Sequence, residues 1–217
     1  MLDMAIAQMV AVFELGGPVV MVLIVVSIVT LAVVLYKLWQ FSVAHVGQHT
    51  ALRTAVTAWD AGDRAGARTA LEQSKSYLAP VVAAAFDGRE RDRLLAMAEE
   101  RFTQLERGFR YLDSVAQLAP LLGLFGTVLG MIAAFQSLQA AGAQVDPSIL
   151  AGGIWVALLT TAVGLIVAMP TALLLAWFEG RMDAERVVAD TFVLTALSPD
   201  NVSETPATDP ESVPAHA

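Results

Sequence analysis

Residues 149–178 read ILAGGIWVALLTTAVGLIVAMPTALLLAWF, thirty consecutive residues without Asp, Glu, Lys, Arg or His. As a helix this run would be about 45 Å long, more than the ~30 Å hydrocarbon core of a bilayer. In water it would expose more apolar surface than a chain of 217 residues could cover. Lipid is therefore its expected solvent. The run also holds Gly152, Gly153 and Gly164, the pair Thr160–Thr161, and Pro170. Small and hydroxyl residues let helices approach closely or line a polar path, so the stretch reads as a membrane helix packed against other protein.

Two further runs share its character. From Val19 to Leu35 every residue is apolar or hydroxyl, and Tyr36, Lys37 and Trp39 follow as an aromatic and basic anchor. Pro18, after Gly16 and Gly17, suits the first turn of this helix. Residues 115–138, VAQLAPLLGLFGTVLGMIAAFQSL, form the second run, with Pro120 expected to bend it. A stripe of Leu94, Ala98, Phe102, Leu105, Phe109, Leu112 and Ala116 precedes it at helical spacing. One helix is expected from about Arg89 into the bilayer, with Glu106 and Arg110 as an i,i+4 pair on its charged side.

The rest of the chain is polar or weakly apolar. Residues 1–15 place Leu2, Ile6, Met9, Val10 and Phe13 near one face, as an interfacial segment would. They carry Asp3 and Glu14 and no basic residue, unlike the start of a cleaved signal peptide. Residues 40–88 are expected to form short soluble helices without a sizeable core of their own. Asp63 is a candidate N-cap for a helix through Lys75. The end, SPDNVSETPATDPESVPAHA, is acidic and Pro-rich and is expected to be disordered.

Composition limits the function classes. The chain is 56% hydrophobic and 16% charged, against about a quarter charged in a soluble domain. It has no cysteine, so neither disulfides nor a thiolate metal site can form. With a net charge of −8 and no basic stripe, nucleic acid is not an expected partner. Walker A, HExxH, G-x-S-x-G and Rossmann patterns are absent, so neither an enzyme nor a cofactor is expected. His45 and His49 stand at i,i+4 spacing, but without a third ligand they read as two surface histidines.

All 13 Lys and Arg lie within 37–110 or at 181–186. The positive-inside rule then places the middle segment and the C-terminus in the cytoplasm and the N-terminus outside. The expected fold is an all-α integral membrane protein with three transmembrane helices, N-out and C-in, whose long helices extend into the cytoplasm. The expected order is an interfacial segment 1–15, a first span 16–39 and a cytoplasmic helical segment 40–113. A second span 114–138, an outer hairpin 139–148 and a third span 149–178 follow. A cytoplasmic helix end 179–197 and the acidic tail 198–217 close the chain. No Asp, Glu, Lys, Arg or His lies deep in any span, which matters because an intramembrane carboxylate usually marks a proton relay.

Three motifs carry a family resemblance covering roughly residues 13–186. FELGGPVVMVLIVVSIVTLAVVLYKL, LAPLLGLFGTVLGMIAAF and GGIWVALLTTAVGLIVAMP resemble the three spans of the ExbB/TolQ branch of the MotA/TolQ/ExbB proton-channel family. The second carries G-L-x-G-T-V-x-G and the third A-L-x-x-T-A-x-G-L with a later proline. The resemblance implies a ring of copies, usually a pentamer, in the bacterial inner membrane. It implies an ExbD/TolR-like partner with an intramembrane aspartate, and proton flow that energises a TonB- or TolA-like protein. It also implies that Thr127 and Thr161 match the pore-facing threonines of the second and third spans, with Thr160 beside them. One position departs from the family: Val156 stands where ExbB and TolQ usually carry a glutamate. A non-conducting scaffold relative is thus a second expectation, and a MotA-like stator, which the three spans and small cytoplasmic segment disfavour, a third.

Overall fold

The computed structural model describes residues 2–141 and 147–200, and among them every element is helical. The order is α1 (Leu2–Val43), α2 (Thr50–Asp60), α3 (Arg64–Glu72), α4 (Ala79–Phe86), α5 (Arg91–Glu106), α6 (Phe109–Ala141) and α7 (Pro147–Leu197). Three stretches are long and apolar enough to cross a membrane: Gly17–Val43, Phe109–Ala140 and Leu150–Leu197. The side chains of the expected 1–15 stripe, residues 142–146 of the hairpin and residues 201–217 of the tail lie outside the described residues. The chain divides into two compact units, one of Met1–Gln40 with Glu106–Met182, the other of Phe41–Leu105 with Asp183–Ala217.

The first unit is a three-helix packing of α1, α6 and α7. Val19 and Leu23 of α1, Val115 and Ala119 of α6, and Val167 and Ala168 of α7 form its buried cluster. The outer faces carry exposed Val25, Ile28, Leu121, Phe125, Leu158 and Ile166. An apolar belt on all three helices has no place in water, and lipid satisfies it. Gly17 breaks α1 at φ 66°, a left-handed conformation that glycine takes without steric cost, and Pro18 starts the next turn.

The structure corrects the single helix expected from Arg89 into the bilayer. α5 ends at Glu106, Gly108 takes φ 94°, and α6 starts at Phe109. Glu106 and Arg110 therefore do not share a helix. Gly108 also lies close to α1, where an added Cβ would stand 3.4 Å from Lys37 Cε. Lys37, expected as an interfacial anchor, is 1% exposed. Its ammonium donates to Gln40 Oε1 at 2.7 Å and lies 5.5 Å from the centre of the Phe109 ring. A buried cation needs such partners, and an aromatic face is one of them.

The second unit has the core that composition alone did not suggest. Leu52, Val56 and Trp59 of α2, Val81, Val82 and Phe86 of α4, and Leu94 and Phe102 of α5 are buried. Phe192, Val193 and Ala196 from the end of α7 are buried too, and they are distant in sequence. Trp59 stacks on Phe86 at 4.0 Å, donates its indole N–H to Ala196 O at 3.0 Å, and carries the Arg64 guanidinium 3.7 Å from its ring centre. Asp63 caps α3 by accepting from Gly66 N at 2.8 Å, although that helix ends at Glu72 and not at Lys75.

Candidate functional site

The site is the seam between α6 and α7 in the first unit. Its residues recur at three- and four-residue steps on both helices: Ala119, Gly123, Gly126, Gly130 and Ala134 against Gly164, Thr160, Ala157 and Gly153. The glycines are there for contact, not for flexibility. A Cβ on Gly123 would stand 2.9 Å from Thr160 O and 3.0 Å from Thr161 Cα, and one on Gly164 would stand 2.6 Å from Ala119 O. One on Gly126 would meet the Thr160 side chain at 2.7 Å, and one on Gly153 would collide with the Ala134 methyl. Only hydrogen fits at these positions, so the backbones touch. Without a hydrophobic force between helices in lipid, such close packing is a main source of association.

The two adjacent threonines use that proximity. The Thr160 hydroxyl, on a residue 2% exposed, donates to Ala157 O at 2.7 Å and lies 3.2 Å from Gly123 O on the facing helix. The Thr161 hydroxyl reaches the same Gly123 O at 3.3 Å. One carbonyl of α6 thus receives the Thr161 hydroxyl and lies within reach of the Thr160 hydroxyl, whose single hydrogen points mainly to Ala157 O. Interhelical bonds of this kind contribute roughly 0.6–2 kcal/mol each in a membrane.

The four residues singled out from the sequence are not all brought together. Thr160 and Thr161 share an acceptor. The Thr127 hydroxyl instead turns to its own helix and donates to Leu124 O at 2.6 Å. Val156 and Thr160 line a cavity of about 290 Å3 together with Pro18, Leu129, Gly130 and Ala133. The hydroxyls can accept and donate, so they can join a water chain. They cannot hold a charge, and no Asp or Glu is among the described residues that line this cavity.

A second polar cluster escaped the sequence reading. His49 is 6% exposed and Glu185 2%, which corrects the surface reading of the histidine. His49 Nε2 lies 2.7 Å from Glu185 Oε2, and its Nδ1 lies 2.9 Å from the Ser76 hydroxyl. Tyr77 donates its hydroxyl to the same carboxylate oxygen at 2.8 Å. A buried carboxylate needs such donors. A signal was available: Glu185 falls between Met182 and Ala189 on the apolar stripe of α7, where a carboxylate requires partners. The cluster lies wholly in the second unit, apart from the α6–α7 seam. Among the described residues no three His, Asp or Glu side chains gather as a metal site would require.

The chain matches the family model described as the MotA/TolQ/ExbB proton channel family over residues 60–190. It is 31% identical over 197 aligned positions to the biopolymer transport protein ExbB of Xanthomonas campestris pv. campestris, covering 77% of each chain. Shorter stretches are more alike. It is 43% identical over 72 residues to biopolymer transport protein exbB1 of Vibrio cholerae, which is 33% of this chain and 32% of the relative. It is 42% identical over 79 residues to the Tol-Pal system protein TolQ of Haemophilus influenzae, 36% of this chain and 34% of the relative. These last two alignments span only about a third of the relatives' length.

Proposed function

The chain belongs to the MotA/TolQ/ExbB proton channel family, and on that premise we propose that it is the ExbB/TolQ-like subunit of a motor driven by the proton motive force. It is an inner-membrane protein with three helices able to span the bilayer. The motor energises a TonB- or TolA-type protein for outer-membrane transport or envelope integrity. Copies of the chain, as a pentamer, surround the helices of an ExbD/TolR-like partner whose intramembrane aspartate carries the proton. Residues 40–113 and 179–197 lie in the cytoplasm in this reading, which the Lys and Arg distribution supports.

The observation that supports this reading best is the seam at Gly123, where two α7 hydroxyls meet one α6 carbonyl at a family motif. Thr127, Thr160 and Thr161 offer the path hydroxyls, and the partner offers the charge. A proton crossing the membrane releases ~2.3 kcal/mol per 100 mV, comparable to a few of these interhelical bonds. Co-expression with an ExbD/TolR-like protein tests the reading: stable rings that never retain that partner would reject it.

One observation favours a second reading, a non-conducting scaffold. Val156 faces an apolar cavity where the family places a glutamate, and the Thr160 hydroxyl beside it is already bonded. Proton flux with the partner present, in the native chain and in Val156→Glu, separates the two. Substantial and equal flux in both removes the scaffold reading, and flux only in Val156→Glu establishes it.

A further inference from the structure

Pro170 lies inside α7. Proline has no N–H, so the carbonyl of Ile166, four residues back, loses its helical donor. In lipid no bulk water replaces it, and the freed group must be satisfied by a neighbour or an ordered water. Beside this break Ser27, Thr30, Ile166, Pro170 and Thr171 line a notch of about 150 Å3 between α1 and α7.

The hydroxyls in the notch differ in what they do. Thr30 donates to Val26 O at 2.7 Å and lies 3.3 Å from the Tyr111 hydroxyl. Thr171 donates to Val167 O at 2.7 Å. Both oxygens keep a lone pair to accept with. The Ser27 hydroxyl makes no bond to any described residue, and it is not sealed away, since among the described residues no enclosed side-chain oxygen or nitrogen lacks a partner. Thr127, Thr160, Thr161 and Ser137 elsewhere in the spans all donate to a carbonyl.

We propose that this notch is an intramembrane water site: one or a few water molecules accept from the Ser27 hydroxyl and donate to Ile166 O and to the Thr30 and Thr171 oxygens. A cavity of ~150 Å3 lined only by hydrocarbon stays dry, whereas a bound water needs about two to four polar partners. Here Ser27, Thr30 and Thr171 supply one donor and two hydroxyl acceptors among the apolar Leu31, Val34, Val167 and Leu174, and the carbonyl freed by Pro170 belongs to Ile166, a residue of the same lining. The larger cavity at Val156 lacks this set, because Thr160 is the single hydroxyl residue in its described lining and no unbonded hydroxyl donor such as Ser27 faces it. The water stabilises the proline break within the span and joins α1 to α7 through hydroxyls separate from the Gly123 seam. The inference is independent of the motor reading and requires only that the spans lie in lipid.

Solid-state NMR of the full-length, isotope-labelled chain in proteoliposomes tests it, by magnetisation transfer from water and, separately, from lipid acyl protons. Transfer from water is expected to build up several-fold faster at Ser27 and Thr171 than at Ile28 and Leu173, which are 64% and 73% exposed on the outer face. Pro170→Ala returns an N–H to Ile166 O, and Ser27→Ala removes the donor. Each is expected to slow water transfer to Thr171 several-fold. Build-up at Ser27 and Thr171 no faster than at Ile28 and Leu173, or stronger transfer from acyl chains than from water, would overturn the proposal. So would water transfer unchanged in both variants.

Discussion

Replacing Gly164 by alanine adds one methyl group where the α6–α7 seam comes closest to facing backbone. That carbon would stand 2.6 Å from Ala119 O, 3.2 Å from Gly123 Cα and 3.3 Å from Ala119 C. All three are backbone atoms, so no side chain can turn aside. Relief requires the helices to part by roughly 0.8 Å to regain ordinary van der Waals contact. The bonds from Thr160 and Thr161 to Gly123 O start at 3.2 and 3.3 Å and would not survive that shift. Overpacking costs about 1–3 kcal/mol, and loss of the Thr161 bond to Gly123 O adds roughly 0.6 kcal/mol. Against this, alanine favours the helix by about 1 kcal/mol. The net expectation is a loss of about 2 kcal/mol. Gly180, on the same helix, has nothing within 4 Å of an added Cβ and serves as the control. Gly180→Ala is expected to be neutral or slightly stabilising. Reversible unfolding in mixed micelles, followed by circular dichroism, compares the two. If Gly164→Ala is no less stable than Gly180→Ala, the seam is not the backbone contact described.

Three further outcomes are expected. Glu185→Ala leaves His49 Nε2 and the Tyr77 hydroxyl without their shared acceptor and should destabilise by about 3 kcal/mol in thermal unfolding; a loss below about 0.5 kcal/mol would mean that the pair behaves as a surface contact. Trp59→Ala removes the Phe86 stack, the Arg64 contact and the bond to Ala196 O, and should cost about 3–5 kcal/mol, read from denaturant titration. Thr127→Val and Thr161→Val are expected to impair partner-dependent proton flux without lowering the amount of protein in the membrane; normal flux in both would take these residues out of the path.

Much of the first unit was legible because the membrane imposes a simple rule. Runs of uncharged residues such as 149–178 must cross lipid, and the glycines of G-L-x-G-T-V-x-G must let something approach. What approaches them was not legible, since Thr160 and Thr161 meet Gly123 O only once α6 and α7 are paired. Periodicity also misled at the start of the second span. Leu94 through Ala116 keep a helical stripe, yet Gly108 ends α5 because a left-handed residue stops a helix whatever its neighbours favour. In the second unit the distance in sequence was decisive. His49 and Glu185 each look like a surface charge, and only the return of α7 beside α2 makes them a buried pair. Lys37 shows the same effect, an apparent interfacial anchor that Phe109 covers.

Proton flux decides the central claim. The chain, reconstituted in liposomes with an ExbD/TolR-like protein as the proposed partner, would be placed under a potassium diffusion potential and followed with an internal pH dye. The account predicts flux that needs both proteins, vanishes when the partner's intramembrane aspartate becomes asparagine, and falls in Thr161→Val. No flux from the intact complex, or flux undiminished by that asparagine, would contradict it.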